Sequence, residues 1–316
     1  MMWLADPREL GDSFRRSNLY YILLVILLYF INVITKAVRW YLLVNSSGMY
    51  ITFSKTFPFY IIALAFNNLT PGKIGGEPVR AYLLKKEANV PIGQGIASIF
   101  AEKYMDLIVI TTMAVIGAIF IIPLLPQQQA KILVIILILV IAGLIALLII
   151  VSHSTILKKT VDGSVNLAKK VSNGDSINRL SFALVGFTEK FRFGMGKILK
   201  ARNTAIVCII LTVIIWINEA LRLFIILLAL PDIEGVSIGA VFIASSIANI
   251  LGIALPLGSG NILGIIPVFM AVGMESGDAG SASFMHVATS IWISVPLGVM
   301  AMLLTGFKTS KLAEKV

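Results

Sequence analysis

The sequence predicts an all-α polytopic membrane protein of about six or seven spans plus two re-entrant broken-helix hairpins in an inverted-repeat arrangement. Composition is the first observation behind this. Of 316 residues 58% are hydrophobic and 13% charged, and mean hydropathy is +0.94, far from a soluble globular average. The second is run length: Ile132 to Val151 is twenty apolar residues in a row, close by itself to what a bilayer core demands. The third is a pair of apolar runs broken by Pro and Gly, at 67–80 and 256–261. Backbone this irregular survives at membrane depth only if buried in protein or lining a wet cavity. Residues 1–316 read as one transmembrane domain.

Met1 to Asn18 is polar and has no cleavable apolar core, so no signal peptide is predicted. The first span runs from about Leu19 to Val44, with Lys36, Arg39 and Trp40 near its far end as an interface anchor. The first broken hairpin occupies 53–86. Pro71 forbids a regular helix through the break, while Gly72, Gly75 and Gly76 permit sharp turning and close approach. Pro78 suits the first turn of a new helix beginning near Glu77. Free N–H groups at that helix start, its positive end, Lys73 and Arg80 could converge on one anion beside Asn67 and Asn68. The alternative is a short cytoplasmic loop joining two ordinary helices.

A long apolar segment follows from about Gly93 to Ile122, and its cluster Glu102, Lys103 and Asp106 should face inward rather than toward lipid. The turn at 123–130 is uncharged and 132–151 spans back. The segment 152–203 then carries ten Lys and Arg against three acids, which marks it cytoplasmic. Within it Ile177, Leu180, Leu184, Phe187 and Phe191 recur at helical spacing between basic residues, the pattern of a helix in an anionic interface. From 203 to 230 the chain spans outward, with Trp216 and Asn218 mid-run and with Glu219 and Arg222 able to pair on one face.

The second broken hairpin occupies 236–272, with Asn249 before the break and Pro256, Gly258, Gly260 and Asn261 in it. Lys55, Lys85 and Lys86 flank the first hairpin, whereas Asp232, Glu234, Glu275 and Asp278 flank the second. That is the charge signature of hairpins entering from opposite sides, and paired interrupted segments in two halves point to a midplane site. Two unrelated kinked helices are the alternative. A last span covers about 283–305. The scheme places Arg8, Arg15 and Arg16 outside, opposed by an inner flank at least as basic.

Soluble-type chemistry is excluded on several counts. His153 and His286 have no second His or Cys at metal-ligand spacing, so neither a metal nor another cofactor is expected. No Gly-Lys-Ser/Thr follows the glycine-rich elbow, and no Ser-His-acid order can be drawn. The lone Cys208 lies in an apolar run and reads as a small packing residue. The net charge of +10 is explained by topology, and no nucleic-acid-binding fold surrounds it.

Pro71-Gly72-x-x-Gly75-Gly76-Glu77-x-x-Arg80, Leu83-Leu84 and the Glu102-x-x-x-Asp106 cluster resemble the flippase-like family that includes the transmembrane region of lysylphosphatidylglycerol synthases. Arg39-Trp40 and Pro256-x-Gly258-x-Gly260 are similar to further landmarks of that family, so the resemblance covers nearly the whole chain. Three features depart from it. Lys103 stands where the family usually has Arg, which keeps charge but loses the planar fork. Leu263 stands where an acid would follow the second break, so no proton or cation role carries over there. One N-terminal span fewer leaves Met1 to Asn18 as an outside linker. The sequence runs eleven residues past Thr305, so no lysyl-transfer domain is expected.

The resemblance implies a flippase or transporter, not an enzyme, that moves an anionic phospholipid or a polyisoprenyl-phosphate-linked glycan between leaflets. In this reading Lys73 and Arg80 bind headgroup phosphate and Glu77 positions Arg80 or a cationic headgroup. Gly75, Gly76, Gly258 and Gly260 give backbone contact, and Glu102, Lys103, Asp106, Glu219 and Arg222 form a buried charge network. The alternative function is a non-transporting scaffold that presents lipid to a separate transferase. An intramembrane enzyme is a weaker third. Candidate partners are the lipid, that lipid-modifying transferase and a second copy of the chain.

Overall fold

The structure is a computed structural model of the chain, and it describes residues 15–70, 75–124, 126–152, 175–231, 237–254 and 259–307. Among these residues all regular structure is helical. In chain order the helices are α1 (Leu19–Ser46), α2 (Phe53–Leu69), α3 (Gly76–Ala88), α4 (Ile92–Ile121), α5 (Gln127–Ser152), α6 (Asp175–Lys200), α7 (Arg202–Ala229), α8 (Ile238–Ala254), α9 (Ser259–Ala271) and α10 (Ser276–Thr305). Four of them, α1, α4, α7 and α10, are long and apolar enough to cross a bilayer; α5, α8 and α9 contribute shorter apolar stretches.

Local chemistry sets the ends. The Asn18 side chain caps α1 by accepting from the Tyr20 N–H at 3.0 Å. One stripe of α1 (Val25, Tyr29, Val33, Ala37, Trp40, Val44) is buried, and Leu23, Leu27, Phe30 and Ile34 between them are exposed to the apolar surroundings. After α1 the chain turns at Gly48, whose φ of +91° a larger residue would resist. The Asn45 side chain closes this turn, accepting from Ile51 N–H at 2.9 Å and donating to Ile51 C=O at 3.2 Å. Asn89, at φ 55°, ends α3 in the left-handed conformation that Asn tolerates.

The element limits differ from the sequence expectation in two places. The last helix begins at Ser276 rather than 283, because Glu275 takes the N-cap position and Asp278 favours a first turn. The uncharged turn is shorter than 123–130, since α5 already starts at Gln127, in a run of three Gln that helix tolerates well. The basic segment 152–203 holds α6, and this helix docks on α4: Phe191 is buried edge-on against Phe100, with centroids 5.7 Å apart. A Cβ at Gly93 would meet the Phe187 carbonyl, so glycine permits this approach.

Helix lengths repeat across the chain. α1 and α7 each have 28 residues, α2 and α8 each 17, α3 and α9 each 13, and α4 and α10 each 30. The packing is reciprocal as well: α2 lies on α10 while α8 lies on α4, and each short helix packs on the one before it. The equivalent helices α1 and α7 run antiparallel. Asn18 N–H donates to the Ala229 carbonyl at 3.0 Å at one end, Asn32 reaches the Ile215 carbonyl at 2.8 Å midway, and Cys208 lies under the Arg39 carbonyl at the other. Helices α2 and α8, at 17 residues each, are about 26 Å long, and α3 and α9, at 13, about 20 Å. None of the four crosses a bilayer core comfortably alone, which fits helices that turn back.

Small residues hold these elements together. A Cβ on Gly264 of α9 would run into the Ala248 backbone of α8, and one on Gly298 of α10 into the Ala65 side chain of α2. Lipid tails give helices little hydrophobic reason to associate, so such close contact carries the packing. Gly264→Val should therefore lower the melting temperature in detergent by the equivalent of roughly 1 to 3 kcal/mol. Gly143→Val on α5, where a Cβ meets nothing within 4 Å, should leave it unchanged.

Candidate functional site

Charged side chains from three helices meet in the interior. Arg39 of α1, 0% exposed, donates from Nη1 to Asp106 Oδ1 at 2.6 Å and from Nη2 to Asp106 Oδ2 at 3.0 Å. The same Nη2 reaches Glu102 Oε1 at 3.0 Å, and Nη1 also reaches Thr212 Oγ1 at 2.8 Å. Asp106 and Glu102 stand one turn apart on α4, so a planar guanidinium can bridge both. Glu102 then accepts from Arg80 Nη1 of α3 at 2.6 Å. Arg80 Nη2 reaches Glu77 at 3.3 Å, and Glu77 accepts from Lys103 Nζ at 2.8 Å. The chain of contacts thus runs Asp106, Arg39, Glu102, Arg80, Glu77, Lys103.

The second half of the molecule builds a related arrangement from different residues. Arg222 occupies the same position in α7 as Arg39 in α1, and His286 and Ser290 occupy the α10 positions that Glu102 and Asp106 hold in α4. Arg222 donates to Ser290 Oγ at 2.9 Å and Thr289 Oγ1 at 3.2 Å, and pairs with Glu219 at 3.1 Å. His286 Nε2 lies 3.5 Å from Glu219 Oε1. Aromatic faces complete both sites. The Arg80 guanidinium lies 5.0 Å from the Trp40 ring centroid and 5.3 Å from that of Tyr60, and Arg222 lies 4.9 Å from Tyr29.

Between the two halves lies a cavity of about 330 Å³. Each long helix but α5 and α6, and each short one, contributes to its wall, including Lys36 and Arg39, Asn67 and Asn68, Glu77, Glu102 and Asp106, Trp216, Glu219 and Arg222, Asn249 and Asn261. Both broken segments therefore supply polar groups to one space. Asn68 Nδ2 donates to Ser294 Oγ of α10 at 2.6 Å, tying the first hairpin to the far half. Asn249 is turned to its own helix, donating to the Ser245 carbonyl at 2.8 Å. Asn261 lies 3.5 Å from His286 Nδ1.

Several sequence expectations resolve differently here. Arg39 and Trp40 are not an interface anchor: both are fully buried, because the two acids of α4 and the ring of Tyr60 give them partners inside. Arg80, 1% exposed, does not line the cavity; its two terminal nitrogens face Glu102 and Glu77. The N–H groups that were to receive an anion at the start of α3 already donate within the protein, Gly75 to Thr70 Oγ1 at 3.0 Å and Gly76 to Asn67 Oδ1 at 2.7 Å. Gly75 is right-handed, at φ −63°, so the value of these glycines is room rather than unusual backbone: a Cβ on Gly76 would collide with the Ala63 carbonyl. Gly260 is buried within the first turn of α9. Pro71, Gly72, Lys73, Pro256, Gly258 and His153 lie outside the described residues.

Sequence reasoning did not assign Lys36, Trp216, Tyr29, Tyr60 or Ser290 to the site, and the signal for Lys36 and Arg39 was available. Two cations three apart, with Arg39 seven residues before the end of α1, sit about 10 and 15 Å inside the helix end. That is deep enough to need an internal partner.

A multi-pass integral membrane protein with a charged cavity between two broken-helix hairpins is the class that this fold and site define. The chain belongs to the family described as the lysylphosphatidylglycerol synthase TM region, whose model matches residues 1–298. It is 27% identical over 323 residues to a UPF0104 membrane protein of Methanothermobacter thermautotrophicus, covering 100% of this chain and 95% of that protein. It is 24% identical to a UPF0104 membrane protein of Pyrococcus horikoshii, over 94% of this chain and 91% of the relative. A third, from Methanocaldococcus jannaschii, is 25% identical over 91% and 85%.

Removing one partner from a buried ionic chain leaves the others uncompensated, at a cost of about 3 to 5 kcal/mol. Arg39→Ala should therefore lower the detergent melting temperature sharply or prevent folding, since Glu102 and Asp106 both lose a counter-charge. Lys103→Ala should cost within about 1 kcal/mol, because its side chain is 44% exposed and can be replaced by water.

Proposed function

We infer that this protein moves an anionic phospholipid or a polyisoprenyl-phosphate-linked glycan between leaflets, with the headgroup in the central cavity. The observation that carries this reading is the cavity's position between two helix sets of equal order and length that pack reciprocally, with the equivalents α1 and α7 antiparallel. An inverted repeat related by an axis in the membrane plane has that form, and it lets one central site open alternately to either side. A cavity of about 330 Å³ suits a headgroup, not a whole lipid. The acyl or isoprenyl chains stay in the bilayer. The family description concerns synthases of a phospholipid, which agrees with a lipid ligand.

Arg80 acts through Glu77 and Glu102, holding both carboxylates in place at the cavity wall. The first hairpin enters from the cytoplasm and the second from outside, and single cysteines at Lys85 and Glu275 should label from opposite faces of sealed vesicles. Labelling of both from one face would end the inverted arrangement.

Transport is tested by leaflet-resolved assay of fluorescent phosphatidylglycerol in proteoliposomes. Wild type should equilibrate the label between leaflets. Gly76→Val, which forces α3 away from the Ala63 carbonyl, should abolish movement in protein that is still monodisperse. Lipid binding with no movement in wild type would instead support a scaffold that presents lipid to a separate transferase.

A further inference from the structure

Of the four cations that line the cavity, Arg39, Arg222 and Lys103 each hold a carboxylate, and Lys36 holds none among the described residues. Lys36 is one turn before Arg39 on α1, and its Nζ stands 5.6 Å above the Trp216 ring centroid. That ring is pinned, since its N–H donates to Asp106 Oδ1 at 2.8 Å. A Lys ammonium over an indole face is attracted to it, but the contact does not neutralise its charge. A cation at this depth without a counter-ion is costly to the protein and marks a site that an incoming anion completes.

The charge count points to the same residue. Among the Lys, Arg, Asp and Glu side chains around the cavity, Lys36, Arg39, Arg80, Lys103 and Arg222 are five cations, and Glu77, Glu102, Asp106 and Glu219 are four carboxylates. One positive charge is left over among the described residues. The arginines cannot supply it, because each is held by a carboxylate at 3.1 Å or less. The surplus therefore resides on Lys36.

We propose that Lys36 binds the phosphate of a phosphodiester, so that the cavity selects lipids whose headgroup carries one net negative charge. This rests on the proposed function only in taking a lipid as the ligand. The phosphate oxygens take the Lys36 ammonium, and Asn67, Asn68, Asn249 and Ser290 line the same cavity and could exchange their present hydrogen bonds for headgroup hydroxyls beyond the phosphate. A second negative charge, as in a phosphomonoester or diphosphate, finds every other cation around the cavity already engaged among the described residues. A net positive headgroup finds Lys36 uncompensated. Two lipids share the favoured chemistry, a glycerophospholipid with a neutral polyol headgroup and a polyisoprenyl phosphate esterified to a sugar.

The test is binding by native mass spectrometry to wild type, Lys36→Gln and Lys36→Arg, with melting temperatures alongside. The probes are short-chain phosphatidylglycerol, polyisoprenyl-phosphoryl mannose, phosphatidylcholine, and phosphatidic acid above its second pKa. Wild type should bind at least one of the two phosphodiester monoanions about tenfold or more tightly than phosphatidylcholine or phosphatidic acid. Whichever of the two binds names the source of the phosphodiester. Lys36→Gln should lose about tenfold on that probe, leave phosphatidylcholine unchanged and raise the ligand-free melting temperature, whereas Lys36→Arg should retain most of the binding. Undiminished monoanion binding by Lys36→Gln overturns the proposal, as does tighter binding of phosphatidic acid by wild type. The wild-type series decides alone if a variant fails to fold. Lys36-dependent, charge-selective binding without movement between leaflets would end the transport reading and leave this one standing. Movement that Lys36→Gln does not alter would do the reverse.

Discussion

Arg39 lies between Glu102 and Asp106 in the interior of a protein surrounded by hydrocarbon, and most of the architecture can be understood as what that ion triad requires. Two carboxylates one turn apart on α4 repel each other and cannot stay ionised in a low-dielectric interior unless a cation touches both. A guanidinium does this at 2.6 to 3.0 Å, but only if α1 and α4 are held in one relative position. Cys208 and Thr212 of α7 fix the other side of Arg39. The second oxygen of Glu102 then needs Arg80, which α3 can deliver only because the chain is broken after Leu69 and starts a new helix at Gly76. The broken hairpin and the charge chain are one solution to one problem.

The two halves repeat helix lengths but not chemistry. In the first, Arg39 faces two carboxylates; in the second, the equivalent Arg222 faces one carboxylate and two hydroxyl groups, with His286 and Ser290 at the acid positions. A charge held by neutral acceptors is bound less tightly than one held by carboxylates. The contacts of the second half therefore cost less to exchange, and that is the half that supplies Trp216 beneath Lys36. The surplus cation lies in the first half, where Lys36, Arg39, Arg80 and Lys103 meet Glu77, Glu102 and Asp106, whereas Arg222 and Glu219 balance in the second.

Close packing supplies the rest of the cohesion. Gly76 against Ala63, Gly264 against Ala248 and Gly298 against Ala65 bring backbones near enough that the hairpins cannot shift without breaking contact elsewhere. The polar groups of the first break are held by hydrogen bonds, Asn67 by the Gly76 N–H and Asn68 by Ser294 of the opposite half.

The sequence by itself determined the membrane class, the helical composition, the places where helices break and the pairing of Glu219 with Arg222. These depend on local quantities: apolar run length, proline and glycine, and spacing along a single helix. It also marked Glu102 and Asp106 as inward, because two acids in an apolar run have nowhere else to go. Only the tertiary structure decided that Arg39 and Trp40 are core and not anchor, that Arg80 stands behind the cavity wall, and that Lys36 stands in it over the Trp216 ring with no ion-paired carboxylate among the described residues. The reason is that a buried charge is defined by what lies across from it, and those partners are 22 to 173 residues away in the chain. No local pattern records which of five cations the acids will take.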